Sequence, residues 1–207
     1  MTTADLWANE RVLLAEGCRL IGGIDEAGRG PLAGPVVAAC VILPVDFSPE
    51  GIDDSKKLTE AQRETAFERI ERQALAVGVG LVSPEEIDRI NILRATHLAM
   101  RLALETLGAT PDALLVDGLP VPGLACERVL ALVGGDGLSI SIAAASIVAK
   151  VTRDRLMRER HSDFPLYRFD KNKGYSSAFH LAALAEHGPC PLHRRSFAPV
   201  GQCAFKW

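Results

Sequence analysis

No stretch of this sequence stays apolar for the roughly 18 residues that a bilayer-crossing helix needs, and its opening, MTTADLWANERVLL, carries acids where a leader would be hydrophobic. A cytoplasmic protein without a membrane partner is predicted. Cysteine is equally uninformative as a scaffold: residues 18, 40, 126, 190 and 203 are odd in number, widely spaced and form no CxxC pair. Buried free thiols are expected rather than a disulfide framework or a zinc ribbon. There is no GxSxG or comparable context for an activated nucleophile. His180, His187 and His193 with Cys190 lack zinc spacing and read as ordinary residues, as does His97. Internal repeats and low-complexity linkers are missing too. Net positive charge is also lacking, the formal value being −3.

The distribution of that charge says more than its sum. Residues 1–145 hold 12 Lys/Arg against 21 Asp/Glu, whereas residues 146–207 hold 11 against 5. A basic C-terminal third could meet phosphates while acids elsewhere hold a cation, although a solvated helix face would produce the same run. With 207 residues and 48% hydrophobic content, a single domain with one core is expected.

The chain is organised around IGGIDEAGRGPLAG at 21–34. An apolar run ends there in adjacent carboxylates, Asp25 and Glu26, and passes at once into Gly28, Arg29, Gly30 and Pro31. Desolvating a carboxylate costs several kcal/mol, so acids at the end of a buried strand imply a partner or a cation. A plain acidic turn between hairpin strands is the alternative. Residues 20–26 and 35–43 read as strands joined by the GRGPLAG turn. A dinucleotide fingerprint is disfavoured, because that motif opens a helix and here a second β-rich run follows.

Thr59 with Gln62 forms a capping box, which predicts a helix over 61–74 and places Ser55, Lys56 and Lys57 in the loop leading into it. Such a place suits an anion, or is only a solvated basic turn. Residues 76–82 read as a strand, Ser83-Pro84 starts a short helix, and 91–107 has apolar positions at helical spacing up to Gly108. The strand ALLVD at 113–117 ends, like the first, in a carboxylate followed by glycine. A strand over 128–133 runs into Gly134-Gly135-Asp136-Gly137. Residues 141–160 predict a helix with a small, apolar first half and a basic second half. A loop with Lys171, Lys173, Gly174 and Tyr175 follows, then a helix over 177–187 and a Pro-rich tail with Arg194 and Arg195.

Asp25, Glu26, Asp117 and Asp136 are an all-oxygen donor set of the kind that Mg²⁺ or Mn²⁺ prefers. Two such ions can drive in-line phosphodiester hydrolysis with little covalent chemistry asked of the protein. One difficulty is that strand neighbours point to opposite faces. Asp25 and Glu26 can share an ion only if the strand ends there or the ions sit across its end.

GIDEAGRGPLAGPV at 23–36, DSKKL at 54–58, VDG at 116–118, GD at 135–136 followed by SIAAASIVAKVTRD, KGY at 173–175 and HRRSF at 193–197 together resemble bacterial ribonuclease HII. The resemblance implies an α/β ribonuclease H-like fold, a mixed sheet flanked by helices, with residues from about 161 to 207 as a helical C-terminal extension. It also implies a monomeric, Mg²⁺- or Mn²⁺-dependent endonuclease that cuts RNA in RNA/DNA hybrids and incises 5′ of single ribonucleotides in DNA. Carried over by position, Asp25, Glu26, Asp117 and Asp136 would be the catalytic, metal-binding carboxylates. Gly28, Arg29 and Gly30 would read the ribose 2′-hydroxyl, the group that separates RNA from DNA. Tyr175 would lie against the following sugar, Ser55, Lys56 and Lys57 would contact phosphates, and Lys173 would belong to the substrate site. Gly134 stands where the family more often has Lys, and Asn172 where it often has His. With about 20 residues before the first strand, the extra N-terminal domain of ribonuclease HIII is expected to be missing. A Mg²⁺-dependent phosphotransferase acting on a small nucleotide, or a hybrid-binding module without catalysis, would be the competing readings.

Overall fold

The structure, a computed structural model, describes residues 5–203. Five strands form one sheet: β1 (Ile21–Ala27), β2 (Val36–Ile42), β3 (Ala76–Val82), β4 (Ala113–Asp117) and β5 (Val129–Leu132). Their order is β3-β2-β1-β4-β5, with β3-β2-β1 antiparallel and β1-β4-β5 parallel. The helices are α1 (Ala8–Ala15), α2 (Glu60–Gln73), α3 (Pro84–Ile90), α4 (Ile92–Glu105), α5 (Ile140–Arg160), α6 (Phe169–Asn172), α7 (Ala178–His187) and α8 (Ala198–Cys203).

Strand alternation splits the core between the two faces. Ile24, Val36, Ala38, Cys40 and Ile42 pack with Ala95, Ala99 and Ala103 of α4, while Ala39 and Val41 pack with Ala143, Ile147 and Phe67 from α5 and α2. Because both faces are covered, β2 is buried along its whole length and shows no alternation in its sequence. The small residues early in α5 let it approach closely: a Cβ on Gly23 would stand 2.0 Å from the Ser141 backbone. That helix therefore crosses directly over β1 and delivers its side chains beneath the first pair of acids.

The expected elements are present within one to three residues of their predicted ends, and Thr59 and Gln62 form the reciprocal cap foreseen for α2. Helix α1 was not legible. It is short, and Trp7 supplies no side-chain cap. Its role is tertiary: buried Glu10 accepts hydrogen bonds from the Ser139 hydroxyl (2.5 Å) and the Ser141 N–H (3.0 Å), satisfying donors at the start of α5. No helix among the described residues is long and apolar enough to cross a membrane.

Candidate active site

β1 and β4 run parallel with Ile24 opposite Val116, so Asp25 and Asp117 follow side by side at the carboxyl ends of adjacent strands. Asp25 is 4% exposed and lies on the α5 face, against the Ser146 hydroxyl. Its Oδ1 accepts the Glu26 N–H at 2.7 Å. Glu26 lies on the α4 face, where its Oε1 takes a 3.3 Å contact from Arg29 Nη1. β1 does not end at the acids, since it stays paired with β2 through Ala27. The two carboxylates therefore flank the strand, Asp25 toward α5 and Glu26 toward α4. Asp117 Oδ1 accepts the Gly135 N–H at 2.7 Å, which ties β4 to the helical turn at 135–137 and brings Asp136 alongside. Asp136 is not at a strand end but one turn later, paired with Lys56 Nζ at 3.3 Å.

The four acids form one electrostatic group, yet each is engaged by the chain's own donors or cations. Among the described residues, no three carboxylate, imidazole or thiol groups are drawn to a common metal-ligating distance. Three of them hold protons more tightly than ordinary carboxylates, burial being the largest cause. Burial, then Glu26 and Asp117, hold the Asp25 carboxyl well above the usual carboxylate range. Burial raises Glu26 against the opposing pull of Arg29, and raises Asp136 against that of Lys56. Burial works against the Lys56 ammonium, but Asp136 and Asp54 outweigh it and raise its pKa. This is an anionic cluster with too little cationic compensation. A cleft of about 140 Å³ borders it on the α4 side, lined by Glu26, Arg29, Thr96, His97, Met100 and Asp117 among others.

Next to the acids, the turn at 28–34 is held from inside by two buried guanidinium groups. Arg194 donates to the carbonyls of Gly28 (2.6 Å), Arg29 (3.0 Å) and Gly34 (2.9 Å). Arg153 donates to those of Ala33 (3.0 Å), Pro35 (2.9 Å) and Lys173 (3.0 Å). Both side chains are fully buried, and neither has a carboxylate partner in this clamp. Burial, reinforced by Arg153, lowers the Arg194 pKa to about 9. Gly28 is required there: its φ is +95°, and a Cβ would stand 2.1 Å from Arg153 Nε. The N–H groups of Gly28, Arg29 and Gly30 enter no turn, loop or cap hydrogen bond among the described residues. Arg29 and Gly30 are exposed.

The segment 172–177 joins this turn. Leu32 N–H donates to the Gly174 carbonyl and Arg194 N–H to the Leu32 carbonyl, each at 2.8 Å. Tyr175 is 44% exposed, its ring 3.9 Å from the Cβ position of Gly30 and within 6 Å of the Lys150 and Arg153 cations. Lys173 differs from expectation. Its ammonium is buried and bonded to the Asp170 carbonyl, and burial lowers its pKa. Ser55 is also turned inward, its hydroxyl 2.9 Å from that of Ser146. Lys56 and Lys57 are exposed, the latter paired with Asp53 at 3.0 Å.

Sequence reasoning gave no role to Ser146 or Arg153, and treated Arg194 as part of a basic tail. A signal existed for the first two: Ile142, Ser146, Ala149 and Arg153 follow helical spacing, which puts the arginine on the buried stripe of α5. Arg194 lies in irregular chain, where no periodicity marks it, and only its place in the HRRSF motif at 193–197 set it apart.

This architecture is that of solved ribonucleases. It superposes on the crystal structure of ribonuclease H2 from Pyrococcus horikoshii OT3 with a TM-score of 0.75 and 30% identity, over 89% of this chain and 96% of that one. A mixed five-stranded sheet between helices, with acids at the ends of its central strands, defines a nuclease of the ribonuclease H-like class. The family model described as Ribonuclease HII matches residues 22–200. A ribonuclease HII of Xanthomonas campestris pv. campestris is 58% identical over 184 residues, 88% of this chain and 76% of that protein. One from Desulfitobacterium hafniense is 54% identical over 197 residues, 95% and 75% respectively. The chain belongs to the ribonuclease HII family. It is accordingly a divalent-metal-dependent endoribonuclease acting on RNA/DNA hybrids, not a phosphotransferase or a hybrid-binding module without catalysis.

Proposed function

We propose that the chain, besides cutting hybrids, incises duplex DNA on the 5′ side of single embedded ribonucleotides, leaving a 3′-hydroxyl and a 5′-phosphate. The observation that carries this reading is the Tyr175 ring standing 3.9 Å from the Cβ position of Gly30, on the segment that begins with Asp25 and Glu26. A group that can test one sugar for a missing hydroxyl then adjoins a turn whose free N–H groups can meet the 2′-hydroxyl of its neighbour. Lys56 and Lys57 contact backbone phosphates. Ser55 and Lys173, being buried, support the site from within.

The acids fit a pair of hard cations, Mg²⁺ or Mn²⁺: they are all-oxygen donors and buried in excess of positive charge, as the raised Asp25 pKa records. Asp25, Glu26, Asp117 and Asp136 would hold them. When bound, such ions activate a water and stabilise the departing 3′-oxygen. The chain's own part is to keep the carboxylates in place through the Ser146 and Gly135 contacts and to hold the selecting turn rigid through Arg153 and Arg194. Asp136 would hold its share of the ions in competition with Lys56, whose Nζ lies 3.3 Å from it.

A duplex with one ribonucleotide tests the reading. With Mg²⁺ or Mn²⁺, one nick at the 5′ side of the ribonucleotide is expected and none in an all-DNA control. Cutting of long hybrids alone, with this duplex left intact, would refute it.

A further inference from the structure

Behind Tyr175 lies a buried chain of hydrogen bonds through two histidines. His180 is fully buried and its Nδ1 faces the Tyr175 carbonyl at 2.8 Å. His180 Nε2 faces His193 Nε2 at 3.0 Å. His193 Nδ1 in turn faces the Cys190 N–H at 3.0 Å and the Cys190 thiol at 3.2 Å. The rings of Tyr167 and Phe169 close over the pair, with centroids 4.8–6.2 Å from those of the imidazoles.

The protons on this chain can be assigned from its two ends. A carbonyl only accepts, so His180 carries its proton on Nδ1 and offers a lone pair at Nε2. A backbone N–H only donates, so His193 Nδ1 is bare and its proton sits on Nε2. The two assignments meet without conflict: His193 Nε2–H donates to His180 Nε2. Both rings are neutral in this arrangement, and a proton added to either would set two N–H groups against each other. Burial lowers both pKa values, that of His193 to about 4, which keeps the pair neutral under ordinary conditions. Every bond then points one way, from Cys190 through both rings to the peptide of Tyr175.

We propose that His193 and His180 are positioning residues for substrate choice: their one-way relay fixes the Tyr175 peptide, and with it the height of the ring over Gly30. The proposal deepens the reading of Tyr175 given above and rests on it. The Tyr175 carbonyl already accepts the Ser177 N–H at 2.8 Å, so His180 adds a second donor that neither backbone pairing nor packing requires, and an imidazole pair between aromatic rings is a costly filler compared with two leucines.

Three measurements test it. Nitrogen-15 NMR of histidine-labelled protein at neutral pH should show His180 as the Nδ1–H tautomer and His193 as the Nε2–H tautomer; any other pair of tautomers removes the relay, whatever Tyr175 does. Incision rates on a single-ribonucleotide duplex and on a continuous hybrid give a selectivity ratio. His180→Ala should lower that ratio about five- to tenfold, the scale of one buried hydrogen bond, with the hybrid rate nearly kept. His180→Asn places an amide donor where Nδ1 was and should restore most of the ratio, which also covers the case in which the alanine variant fails to fold. An unchanged ratio in a folded His180→Ala protein, equal loss on both substrates, or no rescue by asparagine overturns the proposal. If Tyr175→Ala keeps the wild-type ratio while His180→Ala lowers it, the role of Tyr175 falls, and with it the claim that the relay acts through that residue.

Discussion

Asp25 is the residue at which function and stability oppose each other. Its carboxyl is buried, raised in pKa and repelled by Glu26 and Asp117, so on the proposed metal role the metal-free protein carries the cost of an unneutralised acid. Asp25→Asn should therefore lower incision by at least about a thousandfold while raising the melting temperature of the metal-free protein by about 2–6 °C, corresponding to about 1–2 kcal/mol. Nicking assays and calorimetry on the same preparation check both. The pH dependence has a defined sign. Asp25, Glu26 and Asp136 all have folded pKa values above their unfolded ones, so the metal-free fold is favoured below the usual carboxylate range and loses that contribution as pH rises through the raised values. Cations that need the ionised form gain over the same interval. The rise in melting temperature caused by Mn²⁺ should accordingly grow as pH climbs above the usual carboxylate range, and a flat or inverted trend would count against these acids as ligands. At Tyr175 the expectation is of a different kind: replacement by alanine should reduce the preference for single ribonucleotides about tenfold with little change on hybrids, read from the two initial rates.

Among the elements, the turn at 28–34 depends on two others that are remote in sequence, α5 through Arg153 and the tail through Arg194. Arg194→Lys keeps a charge but loses the fork that reaches three carbonyls at once. It should cost about 3 kcal/mol, measured by urea denaturation, and should depress selectivity more than hybrid cutting. This clamp also marks where the sequence stops being readable. Strands β1 and β4, the capped helix α2 and the amphipathic α4 each announce themselves by a local pattern, and the acids toward the carboxyl ends of the two strands point to Asp25 and Asp117 as neighbours. Helix α1 has no such pattern because what fixes it is Glu10 reaching α5. Ser55 and Lys173 looked like surface contacts by residue type, but their side chains are turned inward by Ser146 and Asp170, which no spacing rule encodes. The separation of Asp25 and Glu26 onto opposite faces follows from strand alternation, and it persists in the structure because β1 continues past both acids.

Over the whole molecule, acid dominates the first 145 residues and base the remainder, and the exposed Lys56 and Lys57 stand apart from that basic third, beside the acids. If these lysines meet phosphates, as proposed, binding releases counterions there, so affinity for duplex should fall with salt and Lys56→Ala with Lys57→Ala together should reduce the slope of log K against log salt by about 2. Titrations at several ionic strengths check this; an unchanged slope would remove both residues from the interface. The Arg194 contacts with Gly28, Arg29 and Gly34 span 160 to 166 positions of sequence. Such long-range closure comes late in folding, because the loop entropy must be met before the contact forms. During synthesis the order is stricter still. The acids of β1 and β4 are translated long before residue 194 exists, and the 28–34 turn gains its three-carbonyl support only when the arginine 160 to 166 positions further along has been made. On the function proposed for the two groups, a product terminated short of that arginine would keep the acids but lose the clamp on the turn, so truncation would alter substrate choice before it abolished cutting.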